Sequence, residues 1–241
     1  TQQIRFLARV EREVNWCTPS LKSLREALTL PVRVIEPPDA HVLVDEPITI
    51  EFTDVGHRYE HGRSKTDGAQ MRVLQGLSFT IEPRQKVALI GPSGAGKSTV
   101  TRLLQRYMDP EHGSIFLNGH DLCGVSLASW RRLVGNIPQG PKLFDGTLKD
   151  NLVYALSTEQ RAALTDEHIW EIMRLLRVDF GARLTHGLQT RVGRNGVKLS
   201  GGEAQRVMIA SVALKRPRFM IIDEATSSLD AENQAAVQAG L

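Results

Sequence analysis

The sequence lacks most features of membrane-spanning, secreted or metal-binding proteins. It contains no run of about 18 apolar residues, the length that a membrane-spanning helix requires. Residues 1–5 lack the apolar core of a signal peptide, and the first residue is not Met, so we expect a piece of a longer protein. The two cysteines, Cys17 and Cys123, fit no metal-binding or redox spacing. They are predicted to be free thiols in a reducing compartment.

The chain also has little net charge, and the excess of +3 lies near its N-terminus. Basic side chains outnumber acids in residues 1–35, whereas the two signs balance from Glu36 onward. The basic segment is either a solvated helix face or the cytoplasmic continuation of a transmembrane helix, where Lys and Arg collect. Aromatic residues make up only 5% of the chain and do not alternate with the basic ones. We therefore expect no nucleic-acid partner.

A length of 241 residues and a hydrophobic content of 41% fit one α/β domain with an appendage. The appendage is predicted to be a helical arm and linker, residues 1–47, that continues from a membrane domain. Apolar residues recur there at helical spacing, and Thr18-Pro19 is typical of a helix start. Pro37 and Pro38 indicate the linker.

From Ile48 to the last residue, Leu241, the pattern is typical of alternating strands and helices. Strands are predicted at 48–52, 77–81, 87–90 and 219–222, and helices at 99–107, within 151–178 and at 200–213. Residues 60–70 form a polar loop to which we assign no chemistry.

A short segment matches a phosphate-binding pattern. Residues 91–98 read GPSGAGKS, which fits G-x-x-x-x-G-K-[ST]. Glycines let backbone N–H groups approach anionic oxygens, and the following helix adds its positive N-terminal end. Lys97 is predicted to reach the β- and γ-phosphates, and Ser98 to bind Mg²⁺. The predicted nucleotide contacts here are Gly91, Ser93, Gly94, Gly96, Lys97, Ser98 and Thr99.

Two acids, Asp223 and Glu224, directly follow the apolar strand predicted at 219–222. Adjacent acids at a buried strand end are costly unless a cation or a proton compensates their charge. We therefore predict that Asp223 holds Mg²⁺, directly or through water.

The intervening segment, residues 199–206, reads LSGGEAQR. Ser200 is a good N-cap for the helix that follows, and the amides of Gly201 and Gly202 then point outward as an anion site. Spacing alone leaves open that this is a simple helix start.

With these segments in this order, residues 48–241 resemble the ATP-binding cassette family, and in several details the nucleotide-binding domain of a membrane exporter. The resemblance implies a P-loop α/β core with a mostly parallel sheet, an antiparallel β region and an α-helical subdomain. It implies that Tyr59 stacks on adenine and that Gln139 contacts Mg²⁺ and the attacking water. The implied catalytic residues are Lys97, Gln139 and Glu224, and the implied metal ligands are Ser98, Gln139 and Asp223.

The resemblance also implies a partner. In the family, the site at Ser200, Gly201 and Gly202 acts on the nucleotide of a second cassette, so catalysis needs a head-to-tail homo- or heterodimer. Residues 227–230 match the segment that crosses this dimer interface.

Two positions depart from the family pattern. Arg194 stands where exporters usually carry an acid that contacts the membrane domain. No histidine follows His186, although the family has one that contacts the γ-phosphate. We expect that histidine to lie beyond Leu241, so that this piece hydrolyses ATP weakly by itself.

We therefore expect a domain that binds and hydrolyses ATP with Mg²⁺ and powers export through a transmembrane domain of the same or a partner chain. Its expected location is the cytoplasmic face of a membrane. One alternative is a nucleotide-gated interaction module without efficient hydrolysis, which the absent histidine favours and Glu224 opposes. Another is a soluble cassette ATPase of DNA repair or translation, but the sequence contains neither a long coiled coil nor a second cassette. The transported substrate is not indicated.

Overall fold

In the computed structural model, the chain divides into two compact units between Ile35 and Glu36. The structure describes residues 2–29, 32–59, 72–140, 142–176, 178 and 180–223. The first unit contains one helix, α1 (Gln2–Leu28), and Pro19 lies inside it. The prediction that a new helix starts at Thr18-Pro19 is therefore wrong. Proline removes one N–H donor from the helical ladder, but its fixed φ is close to the helical value.

The linker residues that follow Ile35 pack within the second unit. The amide of His41 donates to the carbonyl of Gly124 at 2.8 Å. The amide of Leu43, whose side chain is buried, donates to the hydroxyl of Ser129 at 3.2 Å. Packing thus begins before Ile48. The functional assignment of residues 1–47 to a membrane-domain continuation remains a prediction.

An antiparallel sheet forms one part of the second unit, with strand order β2-β1-β3-β4. The strands are β1 (Ile50–Arg58), β2 (Arg72–Ile81), β3 (His112–Leu117) and β4 (His120–Asp121). Ile50 and Phe52 of β1 are buried, whereas Glu51 and Thr53, which alternate with them, are exposed, as expected when one sheet face covers a core. The helix α2 (Lys97–Leu104) contributes Val100, Leu103 and Leu104 to the same core.

Two strands that are distant in sequence form a parallel pair. They are β5 (Val134–Ile137), which follows α3 (Leu127–Leu133), and β8 (Phe219–Ile222), with Ile137 opposite Ile222. Both strands therefore end at the same edge. A third, two-stranded antiparallel sheet joins β6 (Gly146–Thr147) to β7 (Arg191–Val192).

Helices dominate the chain between β6 and β8. They are α4 (Leu148–Val153), α5 (Thr158–Ala163), α6 (Asp166–Leu175) and α7 (Gly201–Lys215). A second core lies among them and includes Leu148, Leu152, Ile169, Met173 and Val207. This confirms the predicted fold class, which combines helices with an antiparallel sheet and a parallel one. The predicted helical stretch at 151–178 is three short helices, each with its own N-cap: Thr147, Ser157 and Thr165.

The strand predicted at 87–90 is not a strand in the structure. Val87 and Leu89 are exposed, and Ile90 is 93% exposed. An apolar run forms a buried strand only when neighbouring strands pair with it. Among the described residues no strand pairs with this segment. The predicted helix at 99–107 is also shifted, since α2 begins at Lys97 and ends at Leu104.

Within the described residues, no helix is both long enough and apolar enough to cross a membrane.

Candidate nucleotide-binding site

The phosphate-loop residues lead directly into α2, which begins at Lys97 with Gly96 as its N-cap. Gly94 and Gly96 have φ values of 84° and 86°, which L-residues with a side chain rarely adopt. A Cβ atom on Gly96 would lie 2.7 Å from Cδ2 of Leu74 and 3.0 Å from the carbonyl oxygen of Val73. The loop therefore needs glycine at 96 both for its backbone conformation and for its close approach to β2.

The Lys97 ammonium lies over its own loop. Its Nζ donates to the carbonyl oxygens of Gly91 at 2.7 Å and Pro92 at 2.8 Å. A lysine ammonium has three N–H donors, so one more can reach an anionic oxygen. Ser93 and Gly94 are exposed in the turn, and Ser98 is exposed in the first turn of α2. This exposed loop at the positive end of a helix fits a phosphate group.

Tyr59 lies against α2, directly after the end of β1. Its hydroxyl is 3.2 Å from Oγ1 of the buried Thr99, and Nη1 of Arg102 donates to it at 3.3 Å. The imidazole of His57 meets the Tyr59 ring edge-on, with 5.0 Å between the ring centroids. These contacts bring the predicted adenine-stacking ring next to the helix that starts at Lys97. Adenine stacking and a phosphate contact by Thr99 remain predictions.

Gln139 and Asp223 follow the adjacent carboxyl ends of β5 and β8. The amide of Asp223 donates to the carbonyl oxygen of Ile137 at 2.9 Å, which extends the parallel ladder by one residue. In open α/β sheets, ligands bind outside the carboxyl ends of the strands. The structure thus pairs the two strands that lead to these predicted ligands of Mg²⁺, which are far apart in the sequence.

The donor set fits Mg²⁺, which prefers oxygen ligands and often binds through one or two carboxylates together with substrate phosphates. Ser98, Gln139 and Asp223 offer a hydroxyl, an amide oxygen and a carboxylate. Within the described part of the chain, no three His, Cys, Asp or Glu side chains gather into a metal cluster of their own.

Ser200 caps α7 through a capping box. Its Oγ accepts from the amide of Glu203 at 3.3 Å, and its own amide donates to Oε2 of Glu203 at 2.7 Å. Gly201 is exposed and Gly202 is partly exposed at the start of the helix. Among the described hydrogen bonds, none joins these residues to the phosphate loop. The structure of one chain therefore presents, as two separate segments, the two sites that are predicted to bind anions.

The Glu203 carboxyl has an altered protonation equilibrium. Burial alone would raise its pKa, but the hydrogen bonds from Ser200 and the charges of Arg183 and Arg206 outweigh burial and hold the pKa below its ordinary value. The carboxylate form that completes the capping box is thereby favoured.

The sequence did not predict the contacts that three residues make with the segments described above: Arg102, Arg183 and Asp145. Arg102 lies three residues after Thr99 on α2, so helical spacing could have indicated it. The contacts of Arg183 with Glu203, and of Asp145 with Asn195 at 2.9 and 2.5 Å, join residues distant in sequence and had no local signal. Asn195 is the neighbour of the charge-reversed Arg194, which is exposed.

The predictions for Glu224, for residues 227–230 and for the loop at 60–70 lie outside the described residues.

A glycine-rich loop at a helix start, together with an acid at a parallel strand end, defines a phosphate-binding P-loop domain. Comparison with known proteins identifies which one. The family model described as ABC transporter matches residues 74–227. The chain belongs to the ABC transporter family and carries its ATPase domain, a P-loop NTPase.

The relatives are named as transporters. The mitochondrial iron-sulfur clusters transporter of Homo sapiens is 37% identical over 97% of this chain and 30% of its own length. An ABC multidrug transporter of Trichophyton equinum is 37% identical over 88% of this chain and 15% of its own length. A solved bacterial ABC exporter with ATP bound has a TM-score of 0.78 and 33% identity, covering 99% of this chain and 40% of that chain. This chain thus spans less than half the length of each. These names do not favour a cassette of DNA repair or translation.

Proposed function

We propose that this chain binds ATP with Mg²⁺, hydrolyses it, and powers export by a membrane domain of the same or a partner chain. One observation carries the proposal: the amide of Asp223 bonds to the end of β5, the strand that leads to Gln139. This arrangement, with the phosphate loop at the start of α2, supports nucleotide binding outside the strand ends.

Each residue has a role in the proposed reaction. The amides of the loop and the Lys97 ammonium hold the β- and γ-phosphates. Ser98, Gln139 and Asp223 would hold Mg²⁺, which neutralises charge on the phosphate oxygens when bound. Glu224 polarises the attacking water, Gln139 orients it, and Tyr59 stacks on the adenine.

The separate anion site at α7 supports a composite catalytic site. Ser200 and the amides of Gly201 and Gly202 would contact the γ-phosphate held by a partner cassette in a head-to-tail dimer. A dimer of this kind explains why one chain offers two phosphate-binding segments with no hydrogen bond between them. The partner is a second copy or a related cassette. The relatives' names, which are those of transporters, support a location at a membrane, and we place the domain on its cytoplasmic face.

Nucleotide binding by Lys97→Ala tests the first step. We expect the affinity for a fluorescent ATP analogue to fall by about tenfold or more, since a charge-assisted contact to the phosphates is lost. Lys22→Ala, on α1, is the matched control and should bind like the wild type. Equal affinity of wild type and Lys97→Ala would refute the assignment.

The composite site is tested with Glu224→Gln, which should stall hydrolysis while leaving binding intact. Size-exclusion chromatography should then show a dimer with Mg-ATP and a monomer with ADP. A variant that stays monomeric at high protein and ATP concentrations would contradict the head-to-tail dimer.

A further inference from the structure

Arg183 contacts the segment that carries Ser200 at two points. Its Nη1 donates to Oε1 of Glu203 at 2.6 Å, and its Nη2 donates to the carbonyl oxygen of Lys198 at 2.6 Å. One guanidinium therefore joins the residue two positions before Ser200 to the residue three positions after it. Such a fork is rigid, because the guanidinium is planar and its donors have fixed directions.

The backbone of Arg183 is held next to the core of its unit. It ends a short 3-10 turn, residues Gly181–Arg183, and its amide donates to the carbonyl of Phe180 at 3.3 Å. Phe180 is buried in the core among the helices. The Arg183 side chain is 46% exposed and that of Glu203 only 16%, so the less exposed carboxylate has a positively charged partner.

The contacts of Glu203 decide which donors at the start of α7 remain for a ligand. Oε2 of Glu203 accepts a hydrogen bond from the amide of Ser200, and the amide of Glu203 donates to Oγ of Ser200. The hydroxyl proton of Ser200 is therefore still available for donation. The amides of Gly201 and Gly202 are in the first turn, where an α-helix supplies no acceptor for its own N–H groups.

The negative charge of Glu203 lies close to the predicted anion site, and the positive charge of Arg183 offsets it. A carboxylate in the first turn of α7 repels a triphosphate that approaches the same helix end. Arg183, paired with the other carboxylate oxygen, offsets this repulsion, and Arg206 adds positive charge from α7 itself. The capping box is thus retained without an uncompensated negative charge at the anion site.

We propose that Arg183 is a positioning residue that holds Lys198, Ser200 and Glu203 in the arrangement that receives the γ-phosphate of the partner cassette. The inference rests on the proposed function, because it requires Ser200 to act on a nucleotide. It adds a residue outside the phosphate-binding segments that acts only when the dimer closes.

The test compares Arg183→Met with Arg183→Lys and with the control Arg174→Met, an exposed arginine of α6. ATP-analogue affinity, kcat for phosphate release and melting temperature are measured on the full chain. Mg-ATP-dependent dimerisation is measured in a Glu224→Gln background. We expect Arg183→Met to leave analogue affinity within about twofold and to lower kcat and dimer affinity by about tenfold. Arg183→Lys should recover part of the loss, and Arg174→Met should match the wild type.

A second comparison tests the route through Glu203. In a Glu203→Gln background the capping box survives, because Gln also caps, but the carboxylate charge is gone. Arg183→Met should then lower kcat and dimer affinity severalfold less than it does beside Glu203. An equal loss in both backgrounds would overturn the inference.

The remaining outcomes are equally decisive. Wild-type kcat and dimerisation in Arg183→Met would refute the positioning role while leaving the proposed function intact. A parallel fall of melting temperature, analogue affinity and kcat would show a general structural role instead. Failure of Glu224→Gln alone to dimerise, or unchanged binding by Lys97→Ala, would contradict the proposed function itself, and the inference would fall with it.

Discussion

The amide of Asp223 donates to the carbonyl oxygen of Ile137 at 2.9 Å, which ties the acid at the end of β8 to the strand that leads to Gln139. The two residues lie at the adjacent carboxyl ends of a parallel pair, with Ile137 opposite Ile222. The backbone, and not the carboxylate, makes this contact. The Asp223 carboxylate can therefore be altered without breaking the ladder.

Asp223→Asn should consequently separate metal binding from folding. The variant keeps the amide that bonds to Ile137, so we expect its melting temperature to stay close to that of the wild type. Its ATP affinity should lose most of its dependence on Mg²⁺, since the charged oxygen ligand is gone. The measurement is ATP-analogue binding with Mg²⁺ and with a chelator. A Mg²⁺ response as large as in the wild type would show that Asp223 is not a ligand.

Tyr59→Ala should weaken the binding of adenine nucleotides but not that of inorganic tripolyphosphate. Loss of base stacking costs about 1–3 kcal/mol, and tripolyphosphate has no base to stack. Tyr59→Phe is the matched variant, because it keeps the ring and removes only the hydroxyl that contacts Thr99 and Arg102. We expect the loss of that hydrogen-bonding group to lower the free energy of unfolding by about 0.5–1.5 kcal/mol. Competition titrations measure both ligands, and an equal loss for tripolyphosphate would show that Tyr59 acts structurally.

Gly96→Ala should impair the phosphate loop more than Gly94→Ala. Both residues have positive φ, so a Cβ costs about 1–2 kcal/mol of backbone strain at either position. At Gly94 the added atom would meet nothing within 4 Å, whereas at Gly96 it would lie 2.7 Å from Leu74 and 3.0 Å from Val73. ATP affinity and melting temperature are compared for the two variants. Equal effects would mean that strain alone, and not the contact with β2, requires the glycine.

His57 should make the stability of the protein depend on pH below neutrality. Burial lowers the pKa of its imidazole, although Glu111 and a hydrogen bond to the backbone of Asp109 act in the opposite direction. Its Nδ1 is buried, and no partner for it is found among the described residues. The folded state therefore binds the proton less readily than the unfolded state, whose ordinary value is 6.5. Stability is then full above that pH and decreases as the pH falls below it.

Thermal unfolding at pH values from 7.5 down to 5 checks this expectation. His57→Phe keeps an aromatic ring beside Tyr59 but cannot be protonated, so its melting temperature should fall less steeply with acid. His168→Asn, at an exposed histidine of α6, should retain the wild-type slope. A wild-type slope in His57→Phe would assign the pH dependence to other groups.

Much of the site could be predicted because its chemistry is encoded in short segments. The phosphate loop, the Ser200 cap and the acid after β8 each depend on neighbours within a few residues, and local geometry follows from local sequence. The antiparallel strands were also indicated, because one of their faces is buried and apolar residues alternate along them.

The errors occurred where a segment depends on distant partners. Residues 87–90 have the composition of a buried strand, but pairing decides whether an apolar run becomes one. Pro19 is a strong helix-start signal after Thr18, yet α1 continues through it, since one lost hydrogen bond is a small part of a long ladder.

By itself, the sequence determined the glycine-rich loop that we predict to bind phosphates, because the required backbone conformations are available only to particular residues at particular spacings. Only the tertiary structure decided that Asp223 lies beside the strand leading to Gln139, and that Arg183 joins Lys198 to Glu203. Those contacts link positions that are 15 or more residues apart, and they exist because burial of two apolar cores brings the strands and helices together. No local pattern contains that information.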